Sequence, residues 1–353
     1  MERAPCDECE RNFEIGHAYC MNCGRPLGTA VNENGSAGSY AYSGGGTVPK
    51  KDDPITAVAK NVGFILVAAC GAMLFFEVFA LFWTAGGIWT GMENYRLGIF
   101  ILLPSPVVLF YVSGVVAKFY FLFIVAAVIV SFVLLIYNSR DGLKELFNAK
   151  SDKLDRTPIY AVITLFAMYF SLNFILVILV TGLGHPPSVP DDPEEEWMLW
   201  YSLLNASVWE EVICRVLLIG VPLAAAGIVL KRERPWRQLF GRSEMDEFAV
   251  VFIIFSSAVF SYGHLAAWDL FKLIPTFMIG LALGYLFVKY GLYASIMLHF
   301  LVNFLMSVVW VFGDAAGEAA LSYFLLFIVI LGAPFIVLYA RRGITYLSGM
   351  LRS

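Results

Sequence analysis

A chain of 353 residues that is 59% apolar and only 15% charged departs from soluble domains, in which roughly half the residues are apolar and about a quarter charged. Composition therefore excludes a soluble enzyme and predicts an all-α polytopic membrane protein. The net charge of −4 gives no general attraction for nucleic acid, and the charges fall in short blocks between apolar runs.

The chain opens polar. Cys6, Cys9, Cys20 and Cys23 form two C-x-x-C pairs separated by ten residues. Each pair supplies two thiolates of a tetrahedral zinc site, so residues 1–27 are predicted to be a small zinc ribbon with a structural Zn ion. Two disulfides are the competing reading; reduced thiolates point instead to zinc and to a cytoplasmic N-terminus. A unit this small has no core of its own, so the metal must hold it together. His17 is read as a solvated loop residue, since four cysteines complete the site. Arg3, Arg11 and Arg25 are outnumbered by acids, which argues against nucleic acid; the ribbon is read either as recruiting a protein partner or substrate at the cytoplasmic face or as a small folded cap. Residues 28–53, with Gly44-Gly45-Gly46, read as a flexible linker. No cleavable signal-peptide pattern is visible.

The transmembrane domain is expected over 54–353. Apolar stretches of spanning length fall at about 60–84, 111–138, 157–182, 198–229, 247–265, 271–289, 291–312 and 321–340, which predicts about eight transmembrane helices. Segment 97–110, with Pro104 and Pro106, is read as re-entrant or interfacial, because a further span would break the charge pattern. Arg140, Lys144, Lys150, Lys153 and Arg156 make one basic loop; Lys231, Arg232, Arg234, Arg237 and Arg242 make a second; Arg341, Arg342 and Arg352 lie near the end. The acidic run 191–196 and the loop holding Asp314 and Glu318 alternate with them. The positive-inside rule then places both termini in the cytoplasm of a cell-membrane protein. Trp197 and Trp200 are expected to anchor the fourth span at the interface.

Three polar motifs interrupt these apolar helices: Glu210-Glu211-x-x-x-Arg215, Phe260-x-x-x-His264 and His299-x-x-x-Asn303. Ionisable groups in a bilayer are expensive, so their default reading is functional. Glu211 and Arg215 stand four apart with the acid first, the favourable order for an ion pair. Glu210 lies about 100° further round an α-helix, unmatched to Arg215, which marks it as the free base. A packing role for the whole ion network is the competing reading. Polar side chains on separate spans tend to converge on one polar interior, so His264, His299 and Asn303 are expected to join the glutamates. Rise per residue puts His264 near the outer end of its span while Glu210 and His299 fall near mid-membrane; convergence therefore requires a helix that tilts or begins late. Glu77 is an intramembrane acid without an evident partner. Gly280 and Gly284 are read as a close helix-packing pair.

The ordered set of motifs, with core 197–312, resembles the CPBP family of CAAX proteases and bacteriocin-processing, Abi-type membrane proteins. The resemblance implies an intramembrane endopeptidase in which Glu210 activates water and His264 orients it. His299 and Asn303 would steady the oxyanion, Glu211 and Arg215 support the site, and Phe260 packs beside it. Peptide hydrolysis needs this division of labour. The implied substrate is a membrane-embedded or lipid-anchored peptide in the bilayer, such as a prenylated CAAX tail. Whether a catalytic metal takes part stays open: no H-E-x-x-H helix is present, and one glutamate with two distant histidines is compatible with a metal or with direct glutamate catalysis, the latter being preferred. A non-catalytic scaffold or immunity-type protein of the same fold is the alternative; a proton-relay transporter finds no internal repeat to support it.

Overall fold

The computed structural model describes residues 54–93, 95–103, 105–147, 153–188, 195–232, 234–266 and 268–350. The ribbon cysteines and the linker lie outside the described residues. Asp52–Ser353 forms one compact unit, built from α1 (Pro54–Gly91), a hairpin of β1 (Arg96–Leu103) and β2 (Ser105–Ser113), α2 (Gly114–Phe147) and α3 (Pro158–Gly182). There follow α4 (Glu196–Val229), α5 (Glu247–Gly263), α6 (Leu273–Tyr290), α7 (Leu292–Phe312) and α8 (Asp314–Met350).

Seven helices among the described residues are long and apolar enough to cross a membrane, and α5 is a shorter apolar helix. The fold is that of a multi-pass helical membrane protein. Phe79, Phe119, Ile178 and Val251 are exposed on the outside of the bundle, as residues that face lipid rather than water must be.

The bundle is organised around α3. Thr157 caps it by accepting from the Tyr160 N–H at 3.3 Å, and Pro158 occupies the first turn, where its missing N–H costs nothing. From Pro158 to Ala167 every residue is buried, so this half is apolar all round, as a core helix should be. Its neighbours are α1, α6, α7 and α8. Gly332 of α8 rests on the Ala167 carbonyl, where a Cβ would collide. The contact is fastened by Ser171 donating to the Val329 carbonyl (2.7 Å) and by a Thr164–Tyr339 hydroxyl pair (2.8 Å).

Segment 97–110 departs from the all-α expectation. It belongs to an antiparallel hairpin with Arg96 opposite Ser113 and Leu103 opposite Ser105, and a register shift between Ile99 and Phe100. Its strands are rich in β-branched and aromatic residues, which favour a pleated surface. Pro106 pairs with Leu102 one step from the turn, so it does not interrupt a central ladder. The hairpin packs on α4 and α5, and the Trp209 indole donates to the Phe100 carbonyl at 2.9 Å.

Trp200 corrects a second expectation. It is buried rather than interfacial, with Phe304 and Trp310 at ring-centroid distances of 5.6 and 5.9 Å.

Candidate active site

The fourth helix is not a plain α-helix where the glutamates sit. Ala206–Glu210 and Val212–Gly220 are π-helical, a widened geometry that occurs mostly in short stretches and often at functional sites. In this geometry both adjacent carboxylates reach the same histidine. Glu211 Oε1 lies 2.9 Å from His299 Nδ1, and Glu210 Oε2 lies 3.8 Å from His299 Nε2.

Glu211 is held from three sides. Arg215 Nε stands 3.1 Å from its Oε2 with both side chains fully buried, Ser295 Oγ donates to Oε2 at 2.6 Å, and His299 occupies Oε1. The expected Glu211–Arg215 pair therefore forms, but Glu211 also orients the imidazole. Arg215 is tied further by donating from Nη1 to Ser256 Oγ at 3.0 Å, and Ser256 in turn donates to the Cys214 carbonyl at 2.5 Å. A charge pair this dry depends on such surrounding bonds, because desolvation opposes it.

Glu210 is placed differently. Its side chain keeps 17% of its surface exposed, yet its Oε2 is buried without a hydrogen-bond partner among the described residues. An unsatisfied buried carboxylate oxygen is costly in a structural network and is what a water-binding base would present.

Phe260 joins the second motif to the third. Its buried ring makes edge contacts with His264 (centroids 4.7 Å) and His299 (5.9 Å), and the Arg215 guanidinium carbon lies 5.1 Å from its centre. His264 Nδ1 is 2.8 Å from the Phe260 carbonyl. A carbonyl only accepts, so Nδ1 carries the hydrogen and Nε2 is left as the outward nitrogen. The depth problem is met by the shortness of α5. Its 17 residues rise about 25 Å, less than the roughly 30 Å hydrocarbon core. The helix ends at Gly263, and His264 heads a 3₁₀ turn to Ala266. His264 lies within electrostatic range of Glu210, His299 and Lys272.

Asn303 reaches the same region. Its Nδ2 donates to the Leu203 carbonyl and to Ser207 Oγ, both at 3.2 Å, on the turn preceding Glu210. Six of the seven motif residues named from the sequence are thus linked to one another through Glu211, His299 and Phe260, and Asn303 is tied to the stretch of the fourth helix just before Glu210. Ser295, Ser207, Ser256 and Lys272 were not named there. Ser295 was legible, standing four residues before His299 on the same face; Ser207 and Ser256 are ordinary helix serines until their partners are known. Glu77, the other intramembrane acid, is fully buried, and neither of its carboxyl oxygens has a hydrogen-bond partner among the described residues.

Among the described residues no three His, Cys, Asp or Glu side chains are grouped so as to hold a metal ion.

A buried carboxylate–imidazole cluster inside a multi-pass helical bundle defines a class: membrane proteins equipped for polar chemistry below the lipid surface. Within it, residues 192–305 match the family model described as Rce1-like, type II CAAX prenyl endopeptidase Rce1-like. The matched segment carries every residue of the cluster and agrees with the resemblance read from the motifs. No curated protein and no solved structure matches the chain.

Proposed function

We propose that the chain is an intramembrane endopeptidase that hydrolyses a peptide bond of a lipid-anchored or membrane-embedded substrate, with Glu210 as the base. The observation that carries this reading is the unpartnered Glu210 Oε2 facing the oriented ring of His299 across 3.8 Å. That separation is too long for a direct hydrogen bond and suits two groups sharing a water.

In the proposed reaction Glu210 takes a proton from water as its oxygen bonds to the substrate carbonyl carbon. His264, with Nδ1–H committed to Phe260, offers Nε2 as an acceptor that aims the second O–H. The tetrahedral oxyanion needs donors already in place. His299, whose ring Glu211 holds through Nδ1, steadies the oxyanion when its Nε2 carries a hydrogen. Asn303 contributes an amide N–H by exchanging its bond to Ser207. The C–N bond breaks as Glu210 returns its proton to the leaving amine, so atoms and charge balance without a co-reactant. A prenylated C-terminal peptide is the substrate class suggested by the family model's description. Reconstituting the chain in liposomes with such a peptide and following cleavage by mass spectrometry tests the reading. Equal turnover by wild type and Glu210→Gln would overturn it.

A further inference from the structure

A cavity of about 460 Å³ opens among α2, the start of α3, the α4–α5 connection, the end of α6 and the start of α7. None of the three polar motifs lines it. Asn138, Arg242, Glu244, Lys289, Tyr290 and Tyr293 stand in its wall. Its size falls in the range of small-ligand sites.

The wall is built to hold a cation in place. Gly241 and Arg242 both have positive φ, 85° and 59°. The left-handed region is costly for a side chain as large as arginine and persists only where the surroundings impose it. Here the turn is pinned by the Arg242 N–H on the Phe287 carbonyl (3.3 Å) and the Ser243 N–H on the Val288 carbonyl (2.9 Å). The guanidinium is then aimed by Nε donating to the Tyr290 carbonyl (2.9 Å) and Nη2 to Asn138 Oδ1 (3.3 Å), above the Tyr293 ring at 5.6 Å. Lys289 is propped by donating to the Tyr285 hydroxyl at 2.9 Å, and its Nζ lies 5.5 Å from the centre of the Tyr290 ring. Arg342 acts electrostatically on Tyr290 from the last helix. Against these cations stands Glu244 in the wall; Asp155, also near Tyr290, is paired with Lys60 at 3.8 Å. The cavity therefore has an excess of positive charge, and its wall residues Asn138, Pro158 and Arg242 each lie within a few positions of a further arginine of the basic connections, Arg140, Arg156 and Arg237. Tyr290 and Tyr293 in its wall are of the aromatic type enriched where helices meet lipid headgroups.

We propose that this cavity binds a phosphate group, carried by an anionic phospholipid headgroup or by a small soluble phosphate. With Nε held by Tyr290 and Nη2 by Asn138, Arg242 offers the remaining N–H groups at the end of its guanidinium to phosphate oxygens, and Lys289 adds a second point charge. Basic pockets between transmembrane helices at the membrane surface take anionic headgroups for these reasons. The ligand ties α2, α6 and α7 together and so stabilises the folded chain by mass action.

The test uses the full-length chain in neutral detergent, with thermal unfolding followed by tryptophan fluorescence at constant ionic strength. Phosphatidylglycerol, phosphatidylcholine and inorganic phosphate are added in separate arms. Phosphatidylglycerol is expected to raise the midpoint by several degrees and phosphatidylcholine to leave it unchanged. A rise with phosphatidylglycerol alone assigns the lipid headgroup as source; an equal rise with inorganic phosphate assigns the soluble one. Lys289→Gln, which gives up a hydrogen bond to Tyr285 and a ring contact with Tyr290, is expected to lose more than half of the shift. Arg242→Gln is expected to lose nearly all of it, and Glu244→Gln to enlarge it. A midpoint indifferent to every additive overturns the proposal, as does an undiminished response in Lys289→Gln together with an unchanged one in Glu244→Gln.

Discussion

Glu211 and His299 are joined Oε1 to Nδ1 at 2.9 Å, and the other nitrogen of the same ring faces Glu210 at 3.8 Å. One imidazole thus separates two adjacent carboxylates into a bonded one and an open one.

Glu210→Gln keeps the shape and removes the base. Cleavage is expected to fall roughly 100-fold or more, while the unfolding midpoint stays within a few degrees of wild type. Peptide turnover and thermal unfolding on the same preparation check both halves. A large drop in midpoint would instead make Glu210 a structural residue.

Glu211→Gln leaves the Arg215 charge buried against a neutral amide. Breaking one side of such a pair costs about 3–5 kcal/mol, so the variant is expected to unfold far earlier than Glu210→Gln. Replacing both partners, Glu211→Leu with Arg215→Met, is expected to recover most of that stability without recovering activity, because His299 Nδ1 has then lost its acceptor. Denaturation curves combined with turnover separate the two effects.

Phe260→Ala removes a ring that touches both histidines and lies beneath Arg215. The cavity is expected to cost about 3–5 kcal/mol. Phe260→Leu refills most of the volume at a cost under about 1.5 kcal/mol but lacks the ring edge contacts. Its kcat is expected to fall while KM holds, which steady-state kinetics on a soluble peptide analogue would show.

Gly284 lets α5 approach α6. A Cβ built there lies 2.9 Å from Ile253 Cγ2, and one on Gly280 lies 3.0 Å from Ser257 Cβ. Gly284→Ala is expected to displace the helix that carries Phe260 and His264, destabilising by about 1–3 kcal/mol and lowering turnover. Pairing it with Ile253→Ala makes room for the new methyl group. A double-mutant cycle is expected to show favourable coupling between the two positions.

Direct glutamate catalysis predicts that a chelator spares cleavage. The full-length chain with Cys6, Cys9, Cys20 and Cys23 replaced by Ser removes the expected structural zinc ligands from the comparison. Loss of turnover on chelation, restored by added zinc, would assign the water to a metal instead.

Much of the site was legible because helical spacing is rigid. Four residues make one turn, so Glu211 with Arg215, Phe260 with His264, and His299 with Asn303 each had to share a face. The cost of polar groups in lipid then argued that the faces converge. The π-helical stretch was not legible: it carries no composition of its own, yet it is where both adjacent carboxylates come within 3.8 Å of His299. The hairpin was also missed, because a short apolar run with prolines reads equally as a broken helix or a strand pair, and its choice is made by packing against α4 and α5.

The sequence by itself determined a multi-pass helical chain with three polar faces and a basic end, since apolar length, helical periodicity and loop charge are local properties. Tertiary structure decided which carboxylate is tied and which is open, that α5 stops short and leaves His264 at the cluster, and that Arg242 and Lys289 share one cavity. Those outcomes depend on contacts between residues up to about a hundred positions apart, such as the 3.2 Å bond from Asn303 to Leu203. Such contacts arise only when buried groups compete for partners in a packed interior.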